Sequence, residues 1–338
     1  MTPSRHQKPI RPARSPLGGI FPHILSLAFI AAPLFQASAD PVIEAVAKQN
    51  DLIVHYDKAT DFSGITWIGN DNYYAVSNRT LAIFTLKLSL DPASGAIHAA
   101  AFGSMIPVKA NLSDFEGIAW QPEFRRLYIS CENGHGITGF DEAGDARFAV
   151  EVPKVFSRAR FNKSLESLTF GAGHFWTANE DTLDGDGELS SRSRGGLVRI
   201  QKFTSSFKPL AQFAHRTDPS ALRPNNTGTG LTDLCALPDG RLLALERVVA
   251  TGLVAKIYLL DFTDATDVGK FARLDHADFK PARKKLLFER HTGGANYEGI
   301  ALGPQLAGGW RSLILIADSG GETKHRLMPL RIKLGEAK

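Results

Sequence analysis

Four acidic residues open segments of this chain that read alike. They are Glu116 in Phe115-Glu116-Gly117-Ile118-Ala119-Trp120, Glu166 in Leu165-Glu166-Ser167-Leu168, Asp233 in Thr232-Asp233-Leu234-Cys235, and Glu298 in Tyr297-Glu298-Gly299-Ile300. A fifth copy, Phe62-Ser63-Gly64-Ile65, carries serine at that place. Carboxylates are hard oxygen donors, and a convergent set suits Ca²⁺ or Mg²⁺ rather than Zn²⁺. Uncompensated, two such charges 4 Å apart repel by about 4 kcal/mol at an effective dielectric near 20. A cluster must therefore take up protons, basic partners or a cation. The other role open to each carboxylate is to cap backbone N–H groups of the neighbouring repeat, and the residues themselves leave both roles open.

A second set follows one strand later: Asn78-Arg79, Glu132-Asn133, Asn179-Glu180, Glu246-Arg247 and Asp318-Ser319. Such strand ends are expected to reach one face of the molecule. Arg79 and Arg247 have the chemistry to hold an anionic group, and ordinary pairing with the adjacent glutamates is the alternative. Asp184-Gly185-Asp186-Gly187-Glu188 resembles the start of a calcium loop, but position 195, where the closing Glu belongs, is Gly. It reads as a solvated turn. His135, His291 and His325 lie near expected loops and are acid–base candidates. A nucleophile elbow, a phosphate-cradling Gly-Lys loop and a dinucleotide fingerprint are all missing from the chain.

What positions these residues is a repeat. Each of the five segments pairs an alternating apolar strand with a second one across a tight turn, as at Gly69-Asn70-Asp71-Asn72 and Pro238-Asp239-Gly240. A third strand follows each pair: Ala82–Leu88, Ile137–Phe140, Leu197–Lys202, Ala255–Asp261 and Arg326–Lys333. A weaker fourth follows most of them. Four antiparallel strands recurring roughly every fifty residues are the signature of β-propeller blades. Five blades are countable, and residues 263–290 leave room for a divergent sixth. The last blade lacks a fourth strand, which Leu52–Tyr56 would supply to close the ring. First strands of blades line the central channel, so Glu116, Glu166, Asp233 and Glu298 would converge on the axis.

Residues 1–39 read as a secretory signal peptide. Arg5, Lys8, Arg11 and Arg14 precede an apolar run from about Gly19 to Phe35 and the small-residue site Ala37-Ser38-Ala39. Residues 40–338 would form the propeller domain. The chain counts 39 Lys+Arg against 35 Asp+Glu, and the four basic residues of the leader account for the excess, so the remainder is balanced. Nucleic acid is not an expected partner. With no second long apolar run, the mature protein is expected to be free of membrane and periplasmic or secreted. Cys131 and Cys235, the only cysteines, could pair in an oxidising compartment, but they fall in strands of different repeats and read rather as buried free thiols.

Taken together, Asp114-Phe115-Glu116-Gly117-Ile118, Asn162-Lys163-Ser164-Leu165-Glu166-Ser167-Leu168, Ala178-Asn179-Glu180-Asp181, Leu245-Glu246-Arg247 and Asn296-Tyr297-Glu298-Gly299-Ile300 with Ala317-Asp318-Ser319 resemble the phytase-like family, "esterase-like activity of phytase". The resemblance runs from about Leu52 to Lys333. It implies an exported bacterial propeller, calcium-dependent, with a hydrolase role on phosphate or other esters. The expectation is a metal-assisted hydrolase with Glu116, Glu166 and Glu298 catalytic and Glu116, Glu166, Asp233 and Glu298 around Ca²⁺. Arg79 and Arg247 would bind a small anionic or ester substrate. A sugar-lactone hydrolase and a non-catalytic scaffold with structural calcium are the competing expectations.

Overall fold

The computed structural model describes residues 39–47, 49–110, 112–221 and 228–335. The leader reading of residues 1–39 lies outside these apart from Ala39. Two short strands come first, β1 (Val42–Ala45) and β2 (Leu52–His55). Blade 1 is β3 (Phe62–Gly69), β4 (Asn72–Ser77), β5 (Ala82–Leu90) and β6 (Ile97–Pro107). Blade 2 is β7 (Phe115–Gln121), β8 (Arg126–Cys131), β9 (Gly136–Phe140) and β10 (Ala146–Val150). Blade 3 is β11 (Leu165–Gly171), β12 (His174–Asn179), β13 (Leu197–Thr204) and β14 (Pro209–Arg216). Blade 4 is β15 (Gly230–Ala236), β16 (Leu242–Val249), β17 (Leu253–Asp261) and β18 (Arg283–His291). Blade 5 is β19 (Asn296–Gln305), β20 (Trp310–Asp318) and β21 (Lys324–Lys333).

Each blade is an antiparallel meander, and β1 and β2 both pair with β21 to complete the fifth. The N-terminal closure expected at Leu52–Tyr56 is present, and β1 extends it. Residues 263–290 form no sixth blade. Their end is the outer strand β18, and the preceding loop packs along β14, with Val268 N–H donating to Gln212 O and Ala282 N–H to Ala214 O. The ring therefore has five blades. Among the described residues no helix is long and apolar enough to cross a membrane.

The core lies between blades, because each sheet buries both faces against its neighbours. Phe62 and Phe84 of blade 1 pack with Ala301, Ile314 and Ile316 of blade 5, and Leu243, Leu245 and Ile257 of blade 4 pack with Leu313, Leu315 and Met328 of blade 5. Burying each such side chain is worth roughly 1.5–3 kcal/mol. Near the axis the inner strands approach so closely that side chains are excluded. A Cβ on Gly117 would lie 2.2 Å from Leu168 N of the next blade, and one on Gly64 2.3 Å from Glu116 O. This crowding explains the glycine in the Glu-Gly-Ile motif. Cys131 and Cys235 are free, buried and in different blades.

Candidate metal centre

All five inner strands start at one face of the ring, and the second strands end there. The register pairs Phe62 with Ser77, Phe115 with Cys131, Leu165 with Asn179, Leu231 with Glu246 and Tyr297 with Ala317. One residue further on, every inner strand breaks register in a β-bulge. A bulge leaves an extra residue unpaired and re-aims its side chain. The bulged residues are Ser63, Glu116, Glu166, Thr232 and Glu298.

Asp233 is thus not the counterpart of the three glutamates. It pairs with Leu245, at the place that Gly64, Ser167 and Gly299 hold in their blades. Its Oδ1 accepts from Leu234 N–H at 2.8 Å and its Oδ2 from Ile300 N–H of blade 5 at 2.9 Å. Leu168 N–H of blade 3 is a further donor. Asp233 therefore ties three consecutive blades together. The hydroxyls at the bulges act similarly: Ser63 donates to Phe115 O at 2.6 Å, and Thr232 to Tyr297 O at 3.3 Å. Among the described residues the side chains of Glu116, Glu166 and Glu298 make no such bond to the backbone of a neighbouring blade.

Their surroundings are acidic. One oxygen from each of Asp114, Glu116 and Glu132 lies within 4.8 Å of the others, and the same holds for Glu132, Glu166 and Glu180. Glu132 belongs to both triads. All but Asp114 are buried. Glu132 and Glu180 are strand-end residues, carried beside the bulges by the antiparallel pairing of β7 with β8 and β11 with β12. Asp114 precedes β7 at a φ of 62°, a conformation that aspartate tolerates better than most residues.

Basic groups compensate only part of this charge. Lys163 Nζ sits 2.5 Å from Glu180 Oε2. Arg247 is buried and divides its guanidinium between Glu180 Oε1 and Glu298 Oε1, the latter at 3.1 Å. Asn296 Nδ2 donates to the same Glu298 oxygen at 2.7 Å, while Glu298 Oε2 is buried without a partner. Glu132 Oε1 accepts from Ser164 N–H at 2.6 Å. Among the described residues, Glu116 and Glu166 make neither a hydrogen bond nor an ion pair. Six carboxylates, those of Asp114, Glu116, Glu132, Glu166, Glu180 and Glu298, thus face two closely paired cations, Lys163 and Arg247, with the exposed Arg79 acting on Asp114 from the rim.

The titration behaviour follows. Burial, then the charge of neighbouring glutamates, drives Glu116 and Glu166 well above the usual carboxylate range. Burial lifts Glu132 to about 7 despite its hydrogen bond from Ser164, and lifts Glu298 to about 8 despite Arg247. At the edge of the cluster Asp318 rises to about 6 through burial and its hydrogen bond with Asp61, whose own pKa falls. An all-oxygen donor set in which carboxylates outnumber basic groups fits a hard divalent cation.

The other residues singled out from sequence are placed as follows. Arg79 is largely exposed at the rim, 3.5 Å from Asp61. His135 reaches the edge of the site through Ser164 Oγ, 2.6 Å from its Nδ1. His325 is buried against Phe62 and Phe102 with Nε2 on Tyr56 O, and His291 is exposed at the end of β18. Asp186 is no solvated turn residue. It is buried and paired with the fully buried Arg199 at 2.5 and 2.9 Å, and Leu274 N–H and Arg158 also reach it. Its oxygens are committed to that network.

Below the carboxylates, the equivalent residues Ile65, Ile118, Leu168, Leu234 and Ile300 form an apolar tier, each 3% exposed or less and packed between blades. The channel is therefore acidic at one end and apolar at the other.

Comparisons with known proteins add the following. No curated protein matches the chain. Among solved structures, a gluconolactonase from Xanthomonas campestris is 14% identical, with a TM-score of 0.41, over 87% of this chain and 95% of that one. A luciferin-regenerating enzyme is 11% identical, with a TM-score of 0.40, over 88% and 97%. The Kuenenia stuttgartiensis hydrazine synthase is 10% identical, with a TM-score of 0.38, and the match spans 77% of this chain but only 57% of that one. At such identities and scores these likenesses say nothing of activity. The family model described as "Phytase-like: Esterase-like activity of phytase" matches residues 58–320, more than three quarters of the chain, and the protein with its five-bladed ring and acidic axial site belongs to that family.

Proposed function

We propose that the protein is an exported, calcium-assisted hydrolase of ester or phosphoester bonds, acting in the periplasm or outside the cell on a small anionic substrate. The observation that carries this reading is the pair of carboxylate triads sharing Glu132, with Glu116 and Glu166 lacking any basic partner within 4 Å among the described residues. Asp114, Glu116, Glu132, Glu166 and Glu180 would hold the cation. When bound, Ca²⁺ would polarise an ester or phosphoryl oxygen and acidify a water molecule.

The chain's own groups have separable tasks. Lys163 and Arg247 balance Glu180 and Glu298, so the site is not so negative as to repel an anion outright. Glu298 keeps Oε1 fixed by Arg247 and Asn296 while Oε2 stays free of partners, which suits it to hold and release a proton. Arg79, exposed at the rim, is the cation an arriving anion meets first. The apolar tier of Ile65, Ile118, Leu168, Leu234 and Ile300 makes the far side of the site a low-polarity environment.

The test is hydrolysis of p-nitrophenyl phosphate, phytate, short acyl esters and sugar lactones by the purified protein, with and without EDTA. EDTA-sensitive turnover of an ester or phosphoester that E166Q abolishes is the expected result. Turnover confined to lactones would move the substrate class. A second reading draws on the depth of the triads, since buried sites also serve as structural cation sites. It calls for calcium-dependent melting with no turnover of any of these compounds.

A further inference from the structure

The opposite end of the channel holds a second site of different chemistry. Beyond the apolar tier, the inner strands and their turns border a half-open cavity of about 480 Å³. That volume falls in the range of small-molecule sites, about 300–1,000 Å³. Trp67, Trp120, Phe170, Leu302 and Pro238 line it, and one charged side chain, Arg311, enters it. Alternation along the strands explains the lining, because Trp67, Trp120, Phe170 and Leu302 each lie two residues beyond a member of the tier and share its face.

Arg311 is the informative group. It is half-buried, and two of its donors, Nε and Nη2, go to Gly303 O at 3.1 and 2.7 Å. Its guanidinium carbon lies 5.5 Å from the Trp67 ring centre, which fixes it over an aromatic face. Among the described residues no carboxylate pairs with it. The ionisable groups that bear on it are Cys235 and Tyr73, which burial keeps protonated at neutral pH. A guanidinium drawn out of water without an anion is unfavourable unless a ligand supplies one.

We propose that this cavity binds an amphiphilic monoanion, an alkyl or aryl carboxylate whose tail lies against Trp67, Trp120 and Phe170 and whose head meets Arg311. One guanidinium in a mostly apolar cavity matches one negative charge. A phosphate dianion would find no second cation there.

The experiment is calorimetric titration of the purified protein with octanoate, and with octanol as the neutral counterpart. Octanoate should bind one to one, and E166Q or EDTA should leave that binding unchanged, separating it from the acidic end. R311Q should weaken octanoate on the order of tenfold or more while leaving octanol within about twofold. L302W, which fills the cavity, should remove both. Absence of saturable octanoate binding, equal weakening of acid and alcohol in R311Q, or retained binding in L302W would each overturn the proposal. If R311Q does not fold, the wild-type preference decides: roughly tenfold for octanoate over octanol supports the site, and equal affinity refutes it.

Discussion

Replacing Glu166 by Gln removes a buried charge without changing volume, and its effect on stability separates a metal ligand from a blade fastener. In the metal-free protein Glu166 faces Glu132 and Glu180 with ligand oxygens no more than 4.8 Å apart. At that distance one like-charge pair costs about 3 kcal/mol at an effective dielectric of 20. Lys163 offsets part of this, and uptake of a proton relieves part of the rest. E166Q should therefore stabilise the EDTA-treated protein by about 1–3 kcal/mol at pH 8, where the pressure to ionise is greatest. In calcium that advantage is cancelled or reversed, because wild type gains about 2.7 kcal/mol at a hundredfold excess over Kd and the variant loses most of that gain. Urea unfolding in EDTA and in millimolar Ca²⁺ measures both numbers. Equal destabilisation in the two buffers would refute the reasoning and make Glu166 a structural cap.

Asp233→Asn should behave in the opposite way. It turns one acceptor that serves Leu234, Ile300 and Leu168 N–H groups into a donor, so stability should fall by about 2–5 kcal/mol with and without calcium, as read by urea unfolding, while calcium affinity is kept. The pH dependence of the metal-free protein follows from the raised carboxyls. Glu132 at about 7 and Glu298 at about 8 hold protons in the folded state that the unfolded chain releases near 4.5. Their contribution is complete below pH 4.5 and is lost as pH climbs towards 8, on the order of 3 kcal/mol for Glu132 alone, so melting temperature in EDTA should decline across that window and flatten in calcium. Gly117→Ala should lower stability by at least about 2 kcal/mol in thermal melts, since its Cβ would press on backbone atoms of Ser167 and Leu168.

The architecture was legible because propeller blades repeat their pattern. Alternating apolar strands, tight turns and the recurring acidic opening mark the strands that became β3, β7, β11, β15 and β19, and Leu52 marks the closure at β2. The register at the fourth blade was not legible. Thr232-Asp233 and Phe115-Glu116 look equivalent in sequence, but the bulge falls on Thr232, which shifts Asp233 by one residue into an inter-blade tie. Bulge placement depends on contacts between blades, which no single segment encodes. Glu132 and Glu180 could be read as strand ends on one face, yet their meeting with Glu116 and Glu166 comes from cross-strand pairing and was visible only in three dimensions. Asp186 shows the same limit, because the partner that consumes its charge, Arg199, sits on the following strand and is itself fully buried.

The most direct measurement is titration of Ca²⁺ into EDTA-stripped, dialysed protein by calorimetry near pH 7, in two buffers of different ionisation heat. Saturable binding with release of protons is expected, because cation binding must displace protons from carboxyls that the empty site holds partly protonated. E132Q, which touches both triads, should abolish it. No calcium heat at millimolar concentration, or undiminished binding in E132Q, would contradict a metal centre at the acidic end of the channel.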